Sequence, residues 1–344
     1  MRARMDGIEL ATLPLDAVRG VFLRLVGRTG RSLLADRTTR VAAYSAIGLL
    51  TSLVLALAFP VWAFALGPIV LGVPHLLADV RYLVVRPGLH RRTWLMASTA
   101  VPLVLATFAS NPAVGLAAGF GAIAFSRASL RPRVLLLCAW TAVVYVAATH
   151  ARIVQIGLVH GHNLLALVLF AVAFSRSRRL GIALTLGALV FSGALLGGAF
   201  DDVVFGWSAS ATGPKHALDF AGIVDTLVPV SIDPKLAVRL AVLFIFAQGL
   251  HYVIWLRVVP EEARERPGIR SFASSLRALD RDVGKIVLAL AALGAVVVLT
   301  RSAFSLEAAR IMYLRAAAFH AYLEIAFGLL LLLEGRRMLG SDET

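Results

Sequence analysis

Five histidines and two carboxylates stand in stretches of sequence that are otherwise apolar, where an ionisable side chain is costly and by default marks a site. They are His75 and Asp79 in Gly72-Val73-Pro74-His75-Leu76-Leu77-Ala78-Asp79, and His160 and His162 in His160-Gly161-His162-Asn163. His251 follows in Gln248-Gly249-Leu250-His251-Tyr252, and His320 and Glu324 in His320-Ala321-Tyr322-Leu323-Glu324. The other three histidines, His90, His150 and His216, fall at the ends of apolar runs or in loops. A spacing of four puts His75 with Asp79, and His320 with Glu324, on one helical face each. An imidazole with a carboxylate one turn away is a metal-ligand pair, or a ligand with the group that orients it. Asn163 lies three residues from His160, and Gln248 three from His251, so each amide shares a face with an imidazole. At 100° per residue His160 and His162 point about 200° apart, and the pattern leaves open which of them looks inward. Cys138 is the single cysteine, which excludes thiolate clusters. Imidazole with carboxylate suits iron, copper, zinc or manganese, and all five histidines are candidate ligands.

The elements that must hold these residues follow from composition. The chain has 344 residues, 59% hydrophobic and 16% charged, with a mean hydropathy of +0.82. A soluble domain has roughly 45–50% apolar and about 25% charged residues, so the sequence reads as an all-α, polytopic integral membrane protein. Crossing a hydrocarbon core of about 30 Å takes roughly 20 apolar residues per helix. Such runs number about ten on that measure: 41–59, 61–83, 93–110, 113–126, 133–149, 152–174, 180–200, 236–258, 285–300 and 311–334. The fourth and ninth are short. Long Leu/Ala-rich runs without period-two alternation exclude a β-barrel reading.

Charge orders the runs. Basic residues concentrate in 2–40, 81–92, 127–133, 176–179, 257–281 and 336–337, which all fall on one face of a ten-span arrangement. Lys and Arg in short loops mark the cytoplasmic side, so both termini are expected in the cytoplasm, and the chain in the inner (plasma) membrane of a bacterial-type cell. This accounts for a net charge of +14 without any nucleic-acid partner. The organisation expected is a basic N-terminal segment 1–40, with an amphipathic helix at 14–26 on the inner leaflet, and a first bundle of about seven helices over 41–200. An external loop or lid over 201–235 then precedes a second bundle of about three helices at 236–334 and a tail at 335–344. The mixed-charge stretch 259–284 reads as a solvated hinge.

Counted from the basic ends at about 1.5 Å per residue, His75 and His251 lie roughly 10–12 Å deep, and His160, His162 and His320 roughly 18–21 Å. That spread of about 10 Å exceeds one four-ligand site unless tilt or a kink at Pro74 closes it. Otherwise the set holds two metals, or only some of the histidines take part.

The segment Gly72-Val73-Pro74-His75-Leu76-Leu77-Ala78-Asp79 resembles the G-x-P-H-G-x-x-D segment of the bacterial Brp/Blh-type β-carotene 15,15′-dioxygenases, with Leu76 in place of a glycine. The resemblance covers about a dozen residues and implies a polytopic protein in which His75 holds iron, Asp79 neighbours it, and a carotenoid is the substrate. On the residues themselves, the expectation is a non-haem iron oxidoreductase or oxygenase acting on a lipid-soluble substrate that enters from the bilayer. In it Asp79, Asn163, Gln248 and Glu324 orient or ligate, and Tyr252 and Trp255 line the pocket. Two other arrangements fit the same residues. One is a b-type haem electron carrier, with His160 or His162 paired with His320. The other is a transporter with a His/Asp/Glu proton relay.

Overall fold

Backbone N–H and C=O groups in lipid have no water to bond, so each apolar run must satisfy its own hydrogen bonds and folds as a helix. The computed structural model describes residues 7–25, 27–206, 220–228, 232–265, 268 and 270–339, and among them there is no strand. Helices α1 (Gly7–Leu25) and α2 (Gly27–Ala35) precede α3 (Arg37–Ala58), and α4 spans Pro60–Val85. A pair of shorter apolar helices follows, α5 (Thr93–Ala106) and α6 (Pro112–Ala124), and then α7 (Leu130–Thr149), α8 (Ala151–Phe174) and α9 (Arg178–Gly197). Two short helices, α10 (Asp201–Gly206) and α11 (Phe220–Leu227), lie between α9 and α12 (Pro234–Glu262). The chain ends with α13 (Phe272–Phe304), α14 (Leu306–Ala316) and α15 (Phe319–Glu334).

Polar residues at the breaks fix the boundaries. Asp36 caps α3 by accepting from the Thr39 N–H at 2.7 Å, and Asp233, ahead of Pro234, accepts from the Leu236 N–H at 2.9 Å at the start of α12. Asn111 caps α6 in the same way, with Pro112 in the first turn. Such side chains replace the missing acceptors of a first helical turn.

Eight helices are long and apolar enough to cross a membrane, counting α14 and α15 as one broken span, Leu306–Leu339. The expected ten reduce to eight because Asn111 and Pro112 end the third run early. α5 has 14 residues, about 21 Å of rise, and with α6 it forms a helical hairpin that falls short of a crossing. The ninth run is longer than expected. It is part of a 33-residue helix in which Gly284 adopts φ 81°, ψ 157°, a backbone open to glycine. The expected amphipathic stretch 215–229 is described only from 220 to 228, where α11 occupies most of it, and His216 lies outside the described residues.

α12 is the most enclosed span and packs along α3, α8 and α9, while α7 and α13 lie outermost. Ile286, Leu290, Leu293 and Val296 of α13 are exposed, as side chains that face lipid tails must be. Phe64, Phe170, Phe246, Trp255 and Phe327 fill the centre.

All six basic segments meet at one end of the bundle. Arg40 donates twice to Glu261, at 2.9 and 2.6 Å, and Arg176 donates to the Glu262 carbonyl at 3.0 Å. Arg92 grips Glu334 with two bonds, at 3.0 and 2.8 Å, and the Arg127 N–H joins the same carboxylate at 2.7 Å. Arg81 and Arg86 share Asp282, and Arg336 reaches the Ser175 carbonyl. α1 docks there too, its Asp16 accepting from the Phe272 N–H and its Arg19 reaching the Arg270 carbonyl. Glu261 and Glu262 are therefore buried in ion pairs, where the composition of 259–284 suggests a solvated hinge. At the opposite end, the Arg239 guanidinium holds the Asp201 carboxyl below its usual range. That tether persists at neutral pH and is lost only as the pH falls through the depressed value.

Removing one partner of a buried ion pair strands the other charge and costs about 3–5 kcal/mol. Glu261→Ala is therefore expected to lower the thermal midpoint, followed by tryptophan fluorescence in detergent, far more than Glu9→Gln. Glu9 pairs with Arg277 at a site where both side chains are about two-fifths exposed, and such pairs contribute under about 1 kcal/mol.

Candidate metal centre

Four spans bring the ionisable side chains inward. α4 is not a uniform helix: π-helical turns at Gly67–Leu71 and Val80–Val85 flank the α-helical Gly72–Asp79 that carries His75 and Asp79. A π turn widens the helix and re-aims the side chains beside it, and such turns gather at functional sites. α8 ends in a π turn at Phe170–Phe174, a few residues after His162 and Asn163. α12 has one at Ile254–Val258, immediately after His251 and Tyr252. Gly72 must be glycine for packing reasons, since a Cβ there would meet the Tyr313 ring of α14 at 2.3 Å.

The Nε2 atoms of His75 and His251 lie 3.0 Å apart. Asp79 Oδ2 is 3.3 Å from His75 Nε2, and Glu324 Oε1 is 3.5 Å from His251 Nε2. The His320 ring centroid is 5.1 Å from that of His75 and 6.1 Å from that of His251. One ligating atom from each of His75, His251 and His320 falls within 4.8 Å of the others, and so does one from each of His75, Asp79 and Glu324. His162 closes the ring of imidazoles, 5.5 Å from His251 and 5.3 Å from His320.

Hydrogen bonds set two of the tautomers. His320 Nδ1 lies 2.5 Å from the Ala317 carbonyl and His162 Nδ1 lies 2.9 Å from the Leu158 carbonyl. A carbonyl only accepts, so both Nδ1 atoms carry the proton and both Nε2 atoms keep a lone pair. A backbone anchor of this kind orients a ligating imidazole.

The carboxylates are the unusual part. Asp79 and Glu324 are each 0% exposed, and none of their four oxygens has a hydrogen-bond donor. An ionised carboxylate without a partner in a medium of low dielectric is prohibitively costly. A divalent cation among the imidazoles answers that imbalance, because two carboxylates balance its charge. The 3.0 Å separation of the two Nε2 atoms also fits: two ligands at about 2.1 Å and 90° to each other stand about 3.0 Å apart. The residues therefore fit a divalent metal held by nitrogen and oxygen.

The remaining sequence-derived residues divide. His160 is turned away: its Nε2 lies 3.1 Å from the Leu227 carbonyl and its ring packs on Phe244. His162 is therefore the histidine of the pair that faces the centre. The depth spread expected for the histidines closes because α12 runs on to Glu262, four residues past the expected end at 258, which sets His251 about 6 Å deeper. Asn163, Gln248 and Tyr252 line a cavity of about 410 Å³ that reaches His162, His251 and His320. Trp255 is fully buried instead, packed between His75 and Phe174. His90 sits on an exposed turn and His150 contacts the Thr149 hydroxyl. Arg310 and Tyr313 also line the cavity, although the sequence pattern did not single them out. The signal was an arginine one residue outside the last apolar run, three positions before a tyrosine.

No protein-family model, no curated protein and no solved structure matches this chain.

The donor-free oxygens give a signed expectation. In chelator-treated protein, Asp79→Asn and Glu324→Gln each raise the thermal midpoint or leave it unchanged, by removing a buried acid that no donor satisfies, an effect of about 1–3 kcal/mol. In metal-supplemented protein the same substitutions lower it. A fall of the midpoint under both conditions would mean that the carboxylates are held by something other than a cation.

Proposed function

We propose that the protein is a membrane-embedded, metal-dependent oxidoreductase that acts on a lipid-soluble substrate, with non-haem iron as the metal. The observation that carries this reading is the donor-free state of all four oxygens of Asp79 and Glu324, set against the imidazole nitrogens of His75 and His251. Mixed imidazole and carboxylate ligation with open positions is a pattern of non-haem iron oxygenases. Iron so held supplies redox chemistry toward dioxygen. The chain's own residues do the rest. The carbonyls of Ala317 and Leu158 fix His320 and His162 by their Nδ1 protons. Tyr252 and Trp255 pack beside His75 and exclude water from that side, which protects reactive chemistry from hydrolysis and proton leakage.

The geometry favours this over the haem alternative. Axial ligands on opposite faces of a haem at about 2.0–2.1 Å would stand about 4 Å apart with the macrocycle between them. The His75 and His251 nitrogens are in direct contact at 3.0 Å. A carotenoid is the substrate that the likeness of Gly72–Asp79 to the Brp/Blh-type dioxygenases suggests.

The gathering of basic segments at one end supports a cytoplasmic placement of that end and of both termini, in a plasma membrane. Whether the α5–α6 hairpin crosses or re-enters, it adds an even number of passes and leaves that placement intact.

Metal analysis by mass spectrometry, with an absorption spectrum of the same detergent-purified sample, tests the reading. Near-stoichiometric iron without a Soret band is expected. His75→Ala, His251→Ala and His320→Ala should each lower bound iron at least tenfold, an effect of the order seen for disturbed metal shells. His160→Ala should leave it unchanged. Protein from iron-supplemented cells that carries no metal would refute the proposal, and a Soret band would transfer it to electron transport.

A further inference from the structure

Arg310 is only 6% exposed, deep in the bundle on α14. Its Cζ lies 3.5 Å from the centroid of the Phe64 ring, a cation–π contact that holds the guanidinium by its face. Its Nε has no hydrogen-bond partner, and among the described residues the guanidinium forms no hydrogen bond and no ion pair. A planar group with five N–H donors is thus left unsatisfied in a membrane span. The acid nearest on its own helix, Glu307, is one turn away at an exposed position.

Arg310 lines the cavity that reaches the imidazoles. That wall carries Arg310, Arg315, His162, His251 and His320 and not a single carboxylate, since Asp79 and Glu324 lie outside the lining. With about 410 Å³, the cavity lies within the range of about 300–1,000 Å³ for pockets that take one small molecule. Beside it runs an apolar groove of about 460 Å³, walled by Leu103, Phe108, Phe319 and Leu323 and sharing Thr107 with the cavity. A cationic wall with unused donors, continuous with a greasy groove, is complementary to an amphiphilic acid.

We propose that the cavity binds a single-chain organic acid with an apolar body, a long-chain carboxylate, whose acid group is seated on the Arg310 guanidinium beside the histidines. The proposal names the substrate class of the metal centre, and it rests on that reading for what becomes of the ligand but not for its binding. A hydrocarbon carotenoid would leave Arg310 without a partner.

Binding of tritiated palmitate to the full chain, chelator-treated and held in phosphatidylcholine nanodiscs, is compared with competition by unlabelled hexadecanol. The expected result is at least tenfold tighter binding of the acid, reduced to the level of the alcohol in Arg310→Gln and retained in part in Arg310→Lys. Iron content, measured on the iron-loaded Arg310→Gln protein, should equal that of the wild type, so a failed metal reading and a failed acid site give different results. Equal binding of palmitate and hexadecanol by the wild type would overturn the proposal. So would an acid preference that survives in folded Arg310→Gln, or displacement of palmitate when the nanodiscs are made of phosphatidylglycerol, which would assign the site to a lipid headgroup. If Arg310→Gln does not fold, the comparison in the wild type and in Arg310→Lys decides.

Discussion

Two carboxylates sit at the centre of a bundle built to exclude water, and no hydrogen-bond donor reaches any of their oxygens. Everything near them reads as a response to that charge. Nitrogens of His75 and His251 stand against Asp79 and Glu324, and the other imidazoles complete a shell whose lone pairs point inward. A soluble protein would satisfy such acids with backbone amides or water. Inside a membrane bundle the amides are committed to their own helices, which leaves the imidazoles and whatever cation they gather.

The bundle provides this centre with unequal supports. On one side, Trp255, Phe174 and Tyr252 make a tight aromatic packing around His75. On the other, His162, His251 and His320 face a cavity with two arginines in its wall. Negative charge is thus confined behind the imidazoles and positive charge lies in front of them. The belt of ion pairs at one end, from Arg40–Glu261 to Arg92–Glu334, ties together the ends of the spans that carry the site. Rigid ends and a hollow middle are a sensible division in a protein that must admit a ligand.

Much of this could be read from the residues. The four-residue spacings of His75 with Asp79 and of His320 with Glu324 were visible, and each of these side chains lies at the centre. The choice between His160 and His162 was not legible, because it depends on how α8 is rotated against α12 and α15, and nothing in a local pattern fixes rotation. Depth was misjudged for a related reason: Arg257, Glu261 and Glu262 look like a loop by composition, yet they extend α12, because buried ion pairs with other helices neutralise them. Arg310 stood one residue outside an apolar run, where an arginine passes for one that reaches out to the interface, as Arg315 does. The short α5–α6 hairpin was hidden because hydropathy counts apolar residues and not the cap at Asn111 that ends them.

The wide turns in α4, α8 and α12 have a consequence for how this sequence tolerates change. A π turn holds one residue more than an α turn, so each acts as a phase adjuster between two lengths of helix. In α12 the turn at Ile254–Val258 separates His251 from Glu261. Deleting a single residue there would restore a regular helix and swing all that follows by about 100°. His251 would keep its aim while Glu261 lost Arg40. Insertions and deletions at these turns are therefore able to uncouple the centre of the protein from its ends, whereas substitutions at the same positions are not.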